Sequence, residues 1–287
     1  MAFSACTAFA GCSSFAPTKL AEATLDPVKL ASEPLDLSHV VPSNVRQWEP
    51  DQIALPSADI DGDRVTVHNV RNNIYVSKDH YATQYYDKSF DLGRLQTVDF
   101  VVVPFPEMPS LAHTMLSFGF AADDYLAVSV EIRKEIGESY SALKGLLGEY
   151  ELMYVVGDER DLIALRSNYR EDEVYLYRTK ATPEQAKALF LDVFQRVNKL
   201  KTEPEFYHTI TNNCTTNIAA HVDHLSPSRV PLGLRLLLAG RADRVAYDLG
   251  LLDTSVPFEM AQQQARVTEL ARASGDRADF SRQIRLR

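Results

Sequence analysis

Residues 113–133 read HTMLSFGFAADDYLAVSVEIR, and this stretch predicts a β-hairpin within an antiparallel sheet. Two runs rich in apolar residues flank a turn at Ala121–Asp124, as expected for paired strands. If all four turn residues form the loop, His113 faces Ile132 on the partner strand. A loop one residue shorter moves the pairing to Glu131, and such a slip turns every side chain to the other face of the sheet.

Further strands are predicted on both sides of this hairpin. The run Thr97–Val103 (TVDFVVV) is continuous, β-branched and aromatic, which is typical of a strand buried on both faces. Prolines soon after it end the run. Other strands are predicted around Val65–Val67, at Tyr150–Val156 and at Val174–Tyr177.

The second half of the chain predicts helices. Thr182 and Pro183 supply a capping residue and a first-turn proline, and apolar residues then recur at helical spacing to about Leu200. A second helix is predicted to begin near Asn213 or Cys214, and a third to run through 232–252. Together the elements predict an α+β fold, with an antiparallel sheet packed against helices in one domain.

Composition narrows the class of protein. The 287 residues carry a formal net charge of -9, with 45% hydrophobic and 24% charged residues. Acidic and basic residues are interspersed, which argues against nucleic acid as a partner because phosphate binding needs a clustered basic face. No internal apolar run approaches the roughly 20 residues of a membrane-spanning helix. The body of the protein is therefore predicted to be soluble.

The N-terminal residues resemble an export signal. The run FAGC that ends at Cys12, followed by two serines, is similar to a bacterial lipoprotein signal, whose cysteine is lipidated after cleavage. We interpret 1–14 as a truncated signal with Cys12 as the lipidation site, and 15–47 as a flexible tether. The folded domain is predicted over 48–255. The region 256–287 is predicted to be a loose, charged tail.

Cys214 is the candidate nucleophile. The other two cysteines lie in the first twelve residues, so the folded domain holds a single thiol and no internal disulfide. Such a thiol is either a buried apolar side chain or a nucleophile. The preceding Thr211, Asn212 and Asn213 are N-cap residue types, which places Cys214 in the first helical turn. Free backbone N–H groups and the helix dipole favour a thiolate there, and the same groups can hold an oxyanion.

A thiol nucleophile also needs a base that a third group orients. His113 begins a predicted strand after a proline-rich loop and is the candidate base, with Glu131 as its acidic neighbour on the partner strand. The alternative for His113 is a strand-end histidine bonded to backbone. His208 can also contact the thiol locally. We interpret His221 and His224 as a solvated helix end.

No metal site and no cofactor are predicted. The three-residue spacing of His221 and His224 suits a metal, but the sequence offers no complete ligand set beside it. Asn213 and Tyr207 are predicted to support the reacting groups or the oxyanion, and Arg133 to hold an anionic part of the substrate. The run Asp158–Asp161 is interpreted as a salt-bridged loop.

Several blocks of residues, in the same order along the chain, carry a family resemblance. They are Asn69-Val70-Arg71, Asp99-Phe100 through Pro104-Phe105-Pro106, Ala112-His113-Thr114-Met115 with Phe118-Gly119-Phe120, Ser129-Val130-Glu131-Ile132-Arg133, Tyr150-Glu151-Leu152 with Gly157-Asp158-Glu159-Arg160-Asp161, and Thr211-Asn212-Asn213-Cys214-Thr215-Thr216-Asn217. With these blocks, the chain from about Trp48 to Leu252 resembles the bacterial Lnb N-terminal periplasmic domain family.

The resemblance implies a circularly permuted papain-like fold, related to the NlpC thiol enzymes. In such enzymes a histidine precedes the cysteine, as His113 precedes Cys214 here, and the third polar group comes from the following strand, which points at Glu131. It also implies lipoprotein N-acyl transfer for members of the Lnb type. Related groups cleave peptides, amides or esters, and fold alone does not fix function.

Three classes of function follow from these observations. The first is a periplasmic enzyme, lipid-anchored to the cell envelope, that acts on an acyl-lipid, lipoprotein or peptide through a thioester on Cys214. The second is a non-catalytic envelope protein that binds lipid or peptide in the same cleft. The third is a metal-dependent hydrolase, which would contain bound zinc and lose its function with a chelator.

Overall fold

A mainly antiparallel sheet positions the candidate site. Its strands are β1 Ser57–Asp61, β2 Arg64–Arg71, β5 Tyr85–Asp91, β6 Leu95–Phe105, β7 Met108–Phe120, β8 Asp124–Arg133, β9 Glu151–Gly157 and β10 Tyr175–Arg178. The strand order is β1-β2-β9-β8-β7-β6-β10, and β5 also pairs with β2. One pair, Arg71 with Gly157, joins β2 to β9 in parallel. The strands β3 Ile74–Ser77 and β4 His80–Ala82 form a separate hairpin.

The computed structural model describes residues 41–106, 108–225 and 241–286, and these residues belong to one compact unit. The predicted signal over 1–14, the lipidation site Cys12 and most of the tether lie outside the described residues. In the part of the chain that is described, no helix is long and apolar enough to cross a membrane.

The helices lie mostly in the second half of the chain, as predicted. They are α1 Ala142–Leu147, α2 Glu159–Ala164, α3 Pro183–Thr202, α4 Cys214–Leu225, α5 Ala242–Asp248, α6 Phe258–Ala265, α7 Thr268–Ser274 and α8 Phe280–Gln283. A π-helical segment, Leu165–Tyr169, continues α2. Short 3-10 helices occupy Pro50–Gln52 and Leu92–Arg94. The predicted α+β class is confirmed. Of the helix predicted over 232–252, residues up to 240 lie outside the described range.

The two faces of the sheet carry separate apolar clusters. On β6, Phe100 and Val102 belong to the first cluster, whereas Val101 and Val103 belong to the second, because successive side chains of a strand point to opposite faces. Helices α3 and α4 cover the first face. Helix α2 and the C-terminal helices α7 and α8 cover the second. The sheet is therefore the middle of three layers.

The loop of the central hairpin settles its register. Phe120 pairs with Asp124, so the loop has three residues, 121–123, and the shorter of the two predicted alternatives is present. Ala122 and Asp123 both adopt positive φ, at 68° and 56°. The register continues to the pair of Met115 with Ser129. Extended by two residues, it places His113 opposite Glu131, on one face.

The prediction that 256–287 is a loose tail is wrong. These residues form α6, α7 and α8, and Val267, Ala271, Phe280 and Ile284 are fully or almost fully buried in the second apolar cluster. The many charged residues between them occupy the outer sides of short helices. The composition of the segment therefore did not indicate its apolar contacts with the core.

The predicted boundary at residue 48 is also too late. Asn44 donates from Nδ2 to the carbonyl of Leu200 at 3.0 Å, and Arg46 Nε lies 2.7 Å from Glu151 Oε1. The Trp48 indole donates back to the carbonyl of Asn44 at 3.0 Å. The last residues of the predicted tether are thus part of the folded unit.

Candidate functional site

Cys214 is the first residue of α4, as predicted. The preceding Asn213 caps the helix, since its side-chain oxygen accepts from the Thr216 amide at 2.9 Å and its own amide donates to Thr216 Oγ1 at 2.8 Å. This reciprocal cap uses the Thr216 amide and, among the residues that the structure describes, leaves the amides of Cys214 and Thr215 without a capping partner. Asn213 therefore acts by shaping the turn that presents the thiol.

The Cys214 thiol is packed between α4 and β7. The residue is 8% exposed, and Sγ lies 4.0 Å from the Ala112 carbonyl oxygen and 3.8 Å from Thr215 Oγ1. Thr215 also contacts β7, because its Oγ1 lies 3.4 Å from Thr114 Oγ1. The thiol thus lies beside the residue that directly precedes His113. Tyr207 is half-buried at the same end, where burial, and after it the neighbouring Cys214, raise the pKa of its phenol.

His113 and Glu131 are connected through Ser129, which sequence reasoning missed. The Ser129 hydroxyl donates to Glu131 Oε1 at 2.8 Å and lies 2.7 Å from His113 Nε2, whereas His113 Nε2 and Glu131 Oε1 are 3.6 Å apart. Since Ser129 gives its one proton to the carboxylate, Nε2 must carry a proton and donate it to Ser129. Nδ1 is then the lone-pair nitrogen, and no described residue donates to it.

Arg166 lies against the relay formed by His113, Ser129 and Glu131, and it affects the pKa values of His113 and Glu131. Its Nη2 is 3.6 Å from Glu131 Oε1. Burial lowers the pKa of His113 to about 3, and Arg166 adds to that shift while Glu131 opposes it. Burial alone would raise the pKa of Glu131, but Arg166 and His113 lower it to about 2. At neutral pH the relay therefore contains a neutral imidazole beside a carboxylate–guanidinium pair.

The same guanidinium lies within electrostatic reach of the thiol. Burial and Arg170 lower the pKa of Arg166 to about 10, and both Glu131 and Cys214 oppose that shift. Arg166 therefore places a positive charge near the sulfur. Nothing in the local sequence of the π-helical segment indicated this arginine.

The structure leaves Cys214 and His113 without a hydrogen bond to each other. Cys214 shares the first apolar cluster with Ala112, whereas Val103, the direct pairing partner of His113, belongs to the second. The imidazole therefore points to the face opposite the thiol, since side chains alternate along β7. The structure thus unites His113 with Glu131, and places Cys214 beside the same strand but on its other side.

Arg133 does not join these groups. Its guanidinium stacks on the Trp48 ring, 4.2 Å from the centroid, and donates to the carbonyl oxygens of Gln52 and Ile53 at 3.0 and 2.9 Å. These contacts hold the segment before β1 against β8. The role of Arg133 in holding a substrate stays a prediction, and the guanidinium donors named above are used within the fold.

The prediction of a solvated helix end is wrong for His221. The residue is 4% exposed, with Nδ1 2.5 Å from Asp192 Oδ2 and Nε2 2.8 Å from the Tyr154 hydroxyl. His224 is the solvated one, since its side chain is 66% exposed. Within the described residues, no group of three or more His, Cys, Asp and Glu side chains is arranged to hold a metal ion.

An apolar cavity of about 300 Å³ extends along α4. Thr215, which directly follows Cys214, is one of its lining residues, and Ile218, one helical turn beyond the thiol, is another. Its other walls come from β6, α3 and α5 and include Phe100, Leu189, Val245 and Leu249. The cavity is on the thiol side of the sheet.

Comparison with known proteins identifies a family. Residues 81–240, more than half of the chain, match the family described as the Lnb N-terminal periplasmic domain. The matched range includes His113, Ser129, Glu131 and Cys214. No curated protein and no solved structure matches the chain.

Proposed function

Since the chain belongs to the Lnb N-terminal periplasmic domain family, we propose that it is a periplasmic enzyme that transfers acyl groups through Cys214. The family match supports the periplasmic location. The proposed substrates are acyl-lipids, lipoproteins or peptides, and the proposed fold relationship is to the circularly permuted papain-like thiol enzymes. No cofactor takes part in the proposed reaction.

The position of Cys214 carries the proposal. The thiol occupies the first residue of a capped helix, beside the strand that holds a neutral imidazole with an unused lone pair. A helix N-terminus stabilises both a thiolate and the oxyanion that forms when it attacks a carbonyl. Arg166 adds positive charge near the sulfur. A buried cysteine used only for packing needs none of these groups.

In the proposed reaction, sulfur forms a bond to the acyl carbonyl carbon while the thiol proton passes to His113 Nδ1. The bond to the leaving group then breaks, and the leaving group takes that proton. Water or an amine attacks the thioester, which releases the acyl product and restores the thiol. Because the imidazole lies across β7 from the thiol, the first proton transfer requires a rearrangement that brings Cys214 and His113 together.

The cavity favours an acyl chain as the transferred group. A cavity of about 150 Å³ lined by apolar side chains binds benzene, so a volume of about 300 Å³ accommodates roughly a dozen carbon atoms. A chain that entered beside Thr215 would leave its carbonyl near the first turn of α4. Each buried methylene contributes about 0.8 kcal/mol of binding.

The test is trapping of the acyl-enzyme. Protein lacking residues 1–40 is incubated with p-nitrophenyl esters from butyrate to palmitate, and intact mass and peptide mapping locate any adduct. We expect a hydroxylamine-sensitive acyl group on Cys214, formed faster with longer chains until the cavity is full. Cys214→Ala abolishes it, His113→Ala slows it, and His80→Ala, which alters an exposed histidine on the separate β3–β4 hairpin, leaves it unchanged.

One observation favours the non-catalytic alternative, namely the placement of thiol and imidazole on opposite sides of β7. A binding protein needs the cavity and not the dyad. Saturable binding of a fluorescent fatty acid that is equal in wild type and Cys214→Ala, without any adduct from the esters, would overturn the enzymatic proposal and establish this one.

A further inference from the structure

The turn that presents Cys214 is held by an amide in the next turn of α4. Asn217 is 8% exposed, and its Nδ2 donates to Asn212 Oδ1 and to the carbonyl of Asn213, each at 2.9 Å. Both acceptors lie in the two residues before Cys214. The orientation of the Asn217 amide therefore affects the backbone on which the thiol is mounted.

Asn217 is held in turn by a buried chain of polar groups that the proposed reaction does not use. The Tyr154 hydroxyl, on β9, lies 3.2 Å from Asn217 Oδ1 and 2.8 Å from His221 Nε2. The other imidazole nitrogen, Nδ1, is 2.5 Å from Asp192 Oδ2 on α3. Tyr154 is 2% exposed and His221 4%, so water does not replace these partners freely.

Counting protons shows that the Tyr154 hydroxyl cannot serve both neighbours at once. Asp192 is an acceptor, so His221 Nδ1 carries a proton in either charge state. When the imidazole is neutral, Nε2 has no proton and accepts a hydrogen bond from the Tyr154 hydroxyl. When the imidazole is protonated, Nε2–H donates to the hydroxyl oxygen, and the hydroxyl proton is free to bond to Asn217 Oδ1.

We propose that Tyr154 and His221 are positioning residues for Cys214, and that the protonation state of His221 decides whether Tyr154 donates to His221 or to Asn217. With a protonated His221 the first turn of α4 gains a hydrogen bond from the sheet. With a neutral His221 it loses that bond. The inference rests on the proposed function only for its importance to catalysis, since the hydrogen-bond exchange itself does not require acyl transfer.

The groups that face His221 determine the direction of the response. Asp192 and Arg196 approach from α3, His224 from its own helix, and Tyr154 from β9. Burial lowers the pKa of His221, His224 and Arg196 add to that shift, and Asp192 opposes it. The imidazole is thus neutral at neutral pH and gains its proton as the pH falls. The first turn of α4 is therefore held more firmly in acid.

The test is hydrogen exchange at the amides of 212–217, corrected for intrinsic rates, from about pH 8 down to the lowest pH at which the protein stays folded. In the wild type, protection of this segment is expected to rise as the pH falls. In Tyr154→Phe it is expected to be about fivefold lower at the acidic end, the effect of one lost hydrogen bond, and unchanged at the alkaline end. Tyr177→Phe is the matched control, because it removes a buried hydroxyl that bonds to Asp243, away from Cys214.

His221→Gln provides a second variant that keeps the tyrosine, and its protection is expected to be independent of pH. A loss of protection in Tyr154→Phe that is equal at all pH values, or no larger than in Tyr177→Phe, would overturn the proposal. So would a wild-type segment without pH dependence. Protein that shows the pH response but forms no acyl-enzyme would retain this inference and refute the proposed function.

Discussion

Arg285→Ala tests whether the C-terminal helices are part of the fold. The guanidinium donates to Glu159 at 2.6 and 2.8 Å and to Asp99 at 2.8 and 3.0 Å, and it stacks 3.6 Å from the centroid of Tyr125. Both carboxylates have side chains that are 0% exposed. A loose tail would make no such contacts.

The expected loss of stability in Arg285→Ala follows from the partners that Asp99 and Glu159 keep. Asp99 keeps Arg178, whose Nε is 2.5 Å away, whereas Glu159 keeps only the Ser117 hydroxyl among its close partners on the sheet. One buried charge is therefore left uncompensated, which costs about 3 to 5 kcal/mol. For a protein of this size a loss of about 3 kcal/mol lowers Tm by roughly 6 to 12 °C.

The pH dependence gives a sharper signature. Burial would raise the pKa of Glu159, but Arg285 and its other hydrogen-bond partners hold it below the usual value. A lowered folded-state pKa stabilises the wild type above the unfolded-state pKa, and this contribution is lost as the pH falls. In Arg285→Ala burial prevails and raises that pKa. The stability difference between the two proteins should therefore shrink in acid, by about 1.4 kcal/mol for each pH unit below the variant's pKa.

The assay is urea unfolding of both proteins at neutral and mildly acidic pH. Arg282→Ala is the control, since that side chain is 55% exposed and pairs with Asp279 on the surface, and its midpoint should match the wild type. An Arg285→Ala midpoint that also matches the wild type would refute the burial argument. A deficit that is constant with pH would refute the assignment to Glu159.

Three further predictions concern the site and the sheet. Ser129→Ala is expected to slow acylation of Cys214 about 10- to 100-fold, because His113 loses the group that fixes its orientation; an unchanged rate in stopped-flow assays would exclude that role. Ala219→Phe fills part of the cavity and should shorten the ester chain that reacts fastest, without affecting butyrate. In Gly157→Ala the new Cβ would lie 2.3 Å from Leu162 Cδ1 and 2.7 Å from the Arg71 carbonyl oxygen, which should destabilise the protein by about 1 to 3 kcal/mol in urea unfolding.

Local signals predicted the elements that local interactions determine. Thr182 and Pro183 marked the start of α3, and the structure has both the proline and a full capping box with Gln185. The N-cap types before Cys214 likewise marked the start of α4. In each case the residues that stabilise the helix end lie within four positions of it, so a short window of sequence contains the whole interaction.

Ion pairs between residues far apart in the chain could not be predicted from such short windows of sequence. The run Asp158–Asp161 resembled a surface loop, yet Glu159 is paired with Arg285 and Asp161 with Arg71, both deep in the fold. The partners are 126 and 90 residues away along the chain. A charged residue has the same appearance in sequence whether water or a distant arginine compensates its charge. This is also why the region 256–287 was interpreted as a tail.

Whether His113 lies on the same face as Ser129 and Glu131 depends on the length of the hairpin loop. Residues two apart on a strand share a face, so Ser129 and Glu131 were bound to point the same way, and only the register decided whether His113 joined them. A three-residue loop requires left-handed backbone, for which glycine is the usual sequence signal. Here Ala122 and Asp123 adopt it instead. Sequence therefore left two registers open, and it offered Glu131 as the partner by its charge and by the family resemblance. With the register known, the alternation identifies Ser129 as the group that contacts the imidazole, and the same alternation places that imidazole across β7 from the thiol.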